Sequence, residues 1–407
     1  MGSQPSRRVI IDADTHLVEP RDMFTSRLSS KYGDIVPQVR YNEKVGEDWW
    51  FVDDIPVQRA TGAVIPVSED GSIWRRDDYW RPPRFEDQHP SAYDPSERAK
   101  VMDSYGIQAA VTFPSLGLTG PDIFKSIPAA GLDFQLDLVS AYNDWVLTWP
   151  QTEPGRYIPL GVVPYWDVPA AVREIERCAG LGMKGIVMTG KPQNHDCPLL
   201  GDPHWDDLWA AAEANKQSVS FHVAGGGITD TVGNDRLSVM GHEALMVYII
   251  GTEFFQNAIA AVDLLLSGVL HKHPTLNFGI VETGVGWVNF ALETLDEHYL
   301  RYKPWLSRPE MSPDELPSEV FRRQVFVNTW FERSNSNYPY ENVMFETDYP
   351  HPTCLLGPEI DDAIDNRMAS LSPEQMEGVL WKNAMRCFNL KPADIGLVAD
   401  SGTVGAR

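Results

Sequence analysis

The chain has 407 residues, of which 57 are acidic and 34 basic, giving a formal net charge of −23. That balance excludes nonspecific nucleic-acid binding, which sets Lys and Arg against phosphate, and 43% hydrophobic with 22% charged residues excludes a disordered chain. Four cysteines, Cys178, Cys197, Cys354 and Cys387, form no CxxC pair, so neither a zinc ribbon nor a disulfide framework is indicated.

A short apolar run at 9–11 leads into Asp12-Ala13-Asp14-Thr15-His16 and reads as a strand ending in polar residues. Residues 17–94 hold many turn residues and a dense aromatic set: Trp49, Trp50, Phe51, Trp74, Tyr79 and Trp80. They predict a β-hairpin-like insertion, either a cap over a barrel mouth or a satellite core packed on its side. A basic cluster there, Arg75, Arg76, Arg81 and Arg84, reads as a solvated loop or as a site for a carboxylate or phosphate. Further strands are expected at 107–113, 157–163, 185–189, 218–223, 277–282, 324–328 and 343–348. Helices are expected at 95–105, 132–149, 168–181, 206–216, 254–270, 286–302, 313–323 and 373–389. The strands show little period-2 alternation, as expected when both faces are covered. Eight strands alternating with helices predict the α/β class, as a closed (β/α)8 TIM barrel rather than an open doubly wound sheet. The expected organisation is one barrel domain over residues 1–407, with the aromatic-rich segment 17–94 inserted after strand 1.

The segment 224–243 begins with Gly225-Gly226-Gly227 but lacks GxxxxGK[ST], so it reads as a mobile active-site loop rather than a phosphate cradle. The most apolar stretch, 245–270, is interrupted by Glu253, Gln256, Asn257 and Asp263, so no membrane span is expected. The N-terminal residues lack the apolar core of a signal peptide. The expectation is a cytoplasmic protein acting on a small molecule, with neither nucleic acid nor membrane as partner.

In a parallel barrel the reactive side chains project from the C-terminal strand ends. Strand one offers Asp14 and His16, two residues apart, so alternation points both the same way. Strand five offers His222, strand six Glu282 and strand eight Asp348. Taken singly, each carboxylate reads as a helix N-cap or loop anchor, and the histidine as a structural residue. Their convergence on one rim instead predicts a site for Zn, Fe or Mn, with one or two ions per chain. Glu19 is expected as a further ligand or as an acceptor for His16. His351, three residues after Asp348, is a candidate substrate contact or loop residue, and His195 a candidate proton donor. His271 and His273 imitate a ligand pair, but their place at a helix end before strand six predicts helix capping.

The segments 9–20 (VIIDADTHLVEP), 93–114 (YDPSERAKVMDSYGIQAAVTFP), 276–287 (LNFGIVETGVGW) and 345–352 (FETDYPHP), with Asn383-Ala384, resemble the amidohydrolase-related family of the amidohydrolase superfamily. That group contains aminocarboxymuconate semialdehyde decarboxylase, and the resemblance runs from residue 9 to about residue 390. It implies a (β/α)8 barrel with a divalent metal at its C-terminal face, and a decarboxylase, a hydrolase or a hydratase. It also implies a homodimer, the common state of the family. The family's first-strand His-x-His stands here as Asp14 and His16, its fifth-strand His matches His222, and its eighth-strand Asp matches Asp348. Decarboxylase members usually carry a His at the end of strand six, where this chain has Glu282-Thr283-Gly284. Strand four ends in Met188-Thr189-Gly190 and offers no bridging ligand, although Lys191 follows.

These features predict hydrolysis of a carboxyl derivative, a thioester, ester, lactone or amide with a bulky apolar acyl group. Metal-activated water would attack, Asp348 would move the proton, and His222 would act as ligand or electrophile. The alternative is metal-dependent nonoxidative decarboxylation of an aromatic or unsaturated carboxylic acid. A barrel without activity, kept as a binding module, is disfavoured because Asp14, His16, His222 and Asp348 are all present.

Overall fold

A computed structural model describes residues 8–61, 82–116, 122–125, 131–225, 234–305, 311, 314–398 and 405–406. Eight strands form the central sheet: β1 (Ile11–Leu17), β2 (Ala109–Pro114), β3 (Tyr157–Val162), β4 (Gly185–Met188), β5 (Ser218–His222), β6 (Phe278–Val281), β7 (Val325–Thr329) and β8 (Val343–Phe345). Each pairs in parallel with the next in chain order. The ring closes where β8 returns to β1. Thr15 bridges Tyr349, His16 N donates to Tyr349 O at 2.7 Å, and Asp348 N donates to Asp14 O at 3.0 Å. The Asp12 carboxylate seals this seam by accepting from the Thr347 amide at 2.8 Å and from the Thr347 hydroxyl. The result is the expected α/β architecture, a (β/α)8 barrel.

Every residue of the strands is buried, and alternate residues serve different cores. Ala109, Val111 and Phe113 join Ile11, Leu160, Val187 and Phe326 in one cluster, which Phe388 also joins. Ala110 belongs to the other cluster, with helix residues such as Leu138, Ile175 and Leu264. This is period-2 geometry written in uniformly apolar residues.

Glu282 (φ 56°) is in the left-handed region and ends β6 one residue short of the expected limit, whereas β8 stops at Phe345, three residues before Asp348 (φ 60°). The helix Pro95–Tyr105 has the predicted limits: Asp94 caps it by accepting from Glu97 N at 2.9 Å, and Gly106 ends it at φ 74°.

The segment expected as a loop over 224–243 differs. Gly226 and Gly227 lie outside the described residues, but Asn234–Met240 is a helix, and a longer one, His242–Ser267, follows instead of 254–270. Glu253 and Asn257 did not break it because helices admit polar residues facing inward, and both are buried. Asn257 Nδ2 donates to Phe221 O at 2.9 Å and Val281 O at 3.0 Å, tying the helix to β5 and β6. Contrary to the sequence expectation, Glu243–Ser267 is long and apolar enough to cross a membrane. Here it flanks the barrel, with Ala260, Ala261, Leu264 and Leu265 in the core.

The insertion after β1 contains an antiparallel sheet of Gln38–Asn42, Glu47–Val52 and Ile55–Arg59. Trp50 is buried against Phe24, ring centroids 5.8 Å apart, and both belong to the same cluster as the barrel helix residues Leu138 and Ile175. Trp49 and Phe51 instead carry the guanidinium groups of Arg59 and Arg40 on their faces. Trp74, Tyr79, Trp80, Arg75, Arg76 and Arg81 lie outside the described residues. Arg84 pairs with Asp48 at 3.2 Å and lies over Tyr41.

Candidate metal centre

The strand ends bring four predicted residues together: donor atoms of Asp14, His16, His222 and Glu282 lie within 4.8 Å of one another. A second group, His16, Asp348 and His351, shares His16 with the first. His16 Nε2 is 3.0 Å from His222 Nε2 and 3.6 Å from both Asp14 Oδ1 and Asp348 Oδ1. His222 Nε2 is 3.3 Å from Asp14 Oδ2 and 3.6 Å from Glu282 Oε2. Asp14, His16 and Asp348 are wholly buried, and Glu282 is the most open of the set.

The remaining ring nitrogens explain the aim of the imidazoles. His16 Nδ1 faces Pro114 O at 3.1 Å and His222 Nδ1 faces Val223 O at 3.0 Å. A carbonyl only accepts, so both Nδ1 atoms carry hydrogen and both Nε2 lone pairs converge. Two converging lone pairs need a positive charge between them. Both oxygens of Asp14 are also buried without a hydrogen-bond partner. Two imidazoles and buried, unpartnered carboxylate oxygens are a donor set that fits a divalent cation such as Zn, Fe or Mn.

Without a cation the charges adjust through protons. Burial disfavours charge on both rings, but Asp14 and Glu282 outweigh it at His222 and raise its pKa to about 9. On His16 burial prevails, helped by His351 and His222, and its pKa falls well below the usual value. Burial, then Asp348, raises the Glu282 carboxyl well above the usual range, and burial, then Asp14, does the same to Asp348. Asp348 Oδ1 faces His351 Nδ1 at 2.7 Å, and its Oδ2 accepts from Thr353 Oγ1 at 3.0 Å. The His351 ring also stacks on His16 at 4.1 Å. Glu282 and Asp348, non-glycine residues at φ near +60°, each store about 1 kcal/mol of backbone strain at the site, and Ala224 (φ 61°) does the same just after β5.

Glu19 is not part of this cluster. Its carboxylate is buried and accepts from Ser115 N at 3.2 Å and Leu116 N at 3.0 Å, anchoring the turn after β2. His195 O accepts from Lys125 Nζ, and Lys191 Nζ stands 3.9 Å from Glu253. His271 and His273 face Glu315 and Glu213, at 3.4 and 3.0 Å.

Sequence reasoning missed Glu346. It is fully buried, accepts from Asn328 Nδ2, and is raised well above the carboxylate range by burial, then by Asp14, Glu282 and Asp348. The signal was available, because Glu346 precedes Asp348 by two residues, the spacing that linked Asp14 to His16. Arg98 was also missed: buried, it donates through Nη2 to His16 O at 2.7 Å and lies over the Tyr349 ring, bracing β1 where it meets β8.

The amidohydrolase family model (Amidohydro_2) matches residues 11–390. Gamma-resorcylate decarboxylase of Rhizobium sp. (strain MTP-10005) is 23% identical over 319 residues, covering 72% of this chain and 90% of that protein. Among solved structures, amidohydrolase map2389c from Mycobacterium avium subsp. paratuberculosis K-10 superposes with a TM-score of 0.72 at 19% identity, covering 96% of this chain and 99% of its own. The 5-carboxyvanillate decarboxylase of Novosphingobium aromaticivorans, solved with manganese and 4-hydroxy-3-methoxy-5-nitrobenzoic acid, superposes with a TM-score of 0.61 at 19% identity, covering 94% and 96%. These relatives correct the expected reaction. The matched curated relatives are named decarboxylases, so the hydrolase and thioesterase reading gives way to its alternative. That reading had rested on Glu282 in place of a histidine, and one substituted strand end outweighs neither the other ligand positions nor the match along the chain. With the fold, the strand-end residues and a family match spanning most of its length, the chain belongs to the amidohydrolase family.

Proposed function

We propose that the protein is a divalent-metal-dependent nonoxidative decarboxylase of an aromatic or unsaturated carboxylic acid. The observation that carries this is the 90% coverage of a named decarboxylase by this chain, joined to a buried site whose imidazole lone pairs converge at 3.0 Å. Asp14, His16, His222 and Asp348 would hold the ion, with Glu282 as a fifth donor. The bound cation would orient the substrate and stabilise its developing negative charge. The cytoplasm fits four cysteines that no disulfide joins.

The chain's own residues supply the proton. Decarboxylation breaks one C–C bond, releases CO2 and puts a proton on the carbon that held it. Asp348 borders the ion and faces His351 Nδ1 at 2.7 Å, so the pair is placed to pass a proton to that carbon. His351, 2.7 Å from Asp348 Oδ1, would return the proton after each turnover. Phe113, 5.1 Å from the His222 ring, gives an apolar wall against which an aryl or vinyl acid can lie.

The test is CO2 release from a panel of aryl and unsaturated acids, including gamma-resorcylate and 5-carboxyvanillate, by manganese-loaded protein. One of them should yield CO2 and its decarboxylated product in equal amounts. Asp348→Asn should lower that rate by about a thousandfold or more. Acid release from a lactone or thioester, with no CO2 from any acid, would overturn the proposal.

A further inference from the structure

Lys191 follows the end of β4, on the rim where the strands open to substrate. Its amide donates to Thr189 Oγ1 at 3.0 Å, which fixes the turn. Its ammonium is located by Glu253. The helix His242–Ser267 follows β5 and runs back from the rim along the barrel, and Asn257 ties it to the ends of β5 and β6. Glu253 precedes Asn257 by one helical turn, so it shares the inward face and lies about 6 Å farther out, above the strand ends. Both residues are buried. Lys191 Nζ, 3.9 Å from Glu253 Oε2, therefore sits over the end of β5, the strand that carries His222.

The Lys191 side chain is only 15% exposed, and its ammonium makes no hydrogen bond to the described residues. At 3.9 Å Glu253 compensates the charge but takes none of the three hydrogens. Two other cations near the strand ends are spent on the backbone: Arg98 donates to Ser91 O and His16 O, and Lys125 to His195 O. A covered donor without an acceptor is costly, so the rim offers Lys191 to an acceptor from outside the chain. The charge of that acceptor follows from the site beneath. Asp14, Glu282 and Asp348 lie around the ion, and Glu346 is near enough to feel all three. Four carboxylates face one divalent cation, so a substrate carboxylate is compensated at the ion, while a second anionic group on the same molecule is repelled unless it reaches another cation.

We propose that Lys191 is a specificity residue that receives a second carboxylate of the substrate, so that the site selects dicarboxylic over monocarboxylic aryl or unsaturated acids. The ion holds the reacting end, an assignment that rests on the decarboxylase reading, and the ammonium holds the far carboxylate through a charge-assisted hydrogen bond.

The test is binding, read apart from turnover. Manganese-loaded protein is titrated by calorimetry with benzoate, isophthalate and terephthalate, rigid aryl acids that differ in the presence and place of a second carboxylate. One of the two dicarboxylates should bind at least about tenfold more tightly than benzoate. Lys191→Met should bring the affinities together, and Lys191→Arg should keep most of the preference. Lys184→Met, which removes a lysine paired with Asp394 at the opposite face of the barrel, should keep all of it. If Lys191→Met loses its fold by circular dichroism, Lys191→Gln takes its place. Failure of both dicarboxylates to bind, no preference over benzoate in the wild type, or a preference that survives loss of the charge at position 191 would overturn the proposal and leave Lys191 and Glu253 as a tie between loop and helix. A preference that disappears with Lys191, in a protein that releases CO2 from no acid, would support the proposal and sink the decarboxylase reading alone.

Discussion

His16 and His222 each give Nδ1 to a carbonyl and turn Nε2 toward the same point. In the metal-free protein a proton on His222, whose pKa is raised to about 9, occupies that point. A cation must displace it, so binding releases a proton and affinity should rise by about tenfold per pH unit below 9. Calorimetric titration with Mn²⁺ at pH 6, 7 and 8 checks this, and a flat profile would remove His222 from the ligand set. Glu19 gives a second pH signature. Burial raises its carboxyl to about 7 against the donated amides of Leu116 and Ser115. Its folded pKa thus lies above its unfolded value, so the native state holds more protons between about pH 4.5 and 7, and stability falls as pH rises through that window. Glu19→Gln removes the titration, so relative to wild type it should gain about 2 kcal/mol between pH 5 and pH 8 in urea denaturation. The sequence placed Glu19 three residues from His16 and so near the site. It could not tell that the backbone at 115–116 would claim the carboxylate, because hydrogen bonds to a distant loop leave no local pattern.

Helices in this barrel are fastened to strands by side-chain amides. Asn143 Nδ2 donates to Val162 O, Asn342 Nδ2 to Val325 O, Asn383 Nδ2 to Val343 O, and Asn257 Nδ2 to Phe221 O and Val281 O. Each satisfies a carbonyl that the ladder leaves open at a strand end. Asn257 is the one nearest the chemistry, since its two acceptors directly precede His222 and Glu282. Asn257→Leu keeps the volume and removes the donors. It should cost about 2–4 kcal/mol, from two carbonyls left buried and unpaired, and weaken Mn²⁺ binding about tenfold by loosening both strand ends. Equal metal affinity at reduced stability would confine Asn257 to the fold. These elements were unequally legible. Apolar runs and proline starts marked the strands and most helices to within a few residues. The extra length of His242–Ser267 was hidden because Glu253 and Asn257 looked like interruptions, and only the packed barrel shows that they face inward. Glu282 ended β6 early through a φ value that no residue pattern announces.

At the scale of the whole molecule, the seam between β8 and β1 is both the closure of the ring and the floor of the site. The hydrogen bonds that join Asp14 to Asp348 and His16 to Tyr349 fix residues from the two ends of the chain beside each other. Eight strand–helix alternations made this closure legible, and the strand-end rule then gathered Asp14, His16, His222, Glu282 and Asp348. Glu346 was passed over despite its spacing from Asp348, because a buried acid inside an apolar barrel contradicts the pattern that identifies the barrel, and nothing in the sequence marked Asn328 as its partner. Closure confines Asp14, Glu282, Glu346 and Asp348 to one water-poor volume, and this makes the stability of the fold depend on its cation. Burial and mutual repulsion raise the carboxyls of Glu282, Glu346 and Asp348 well above the usual range when no cation is present. The metal-free native state therefore binds more protons than the unfolded chain, and its stability must fall as pH rises above the ordinary carboxylate pKa. The metal-loaded state is spared, because the ion neutralises the same carboxylates and binds the native form alone. At a thousandfold excess over Kd that linkage is worth about 4 kcal/mol. Urea denaturation of chelated and Mn²⁺-loaded protein should therefore show a gap that is small at pH 5.5 and widens to about 4 kcal/mol at pH 8. A gap that narrows with rising pH would mean that these carboxylates do not share an ion, and that the acids within the barrel are held by some other charge.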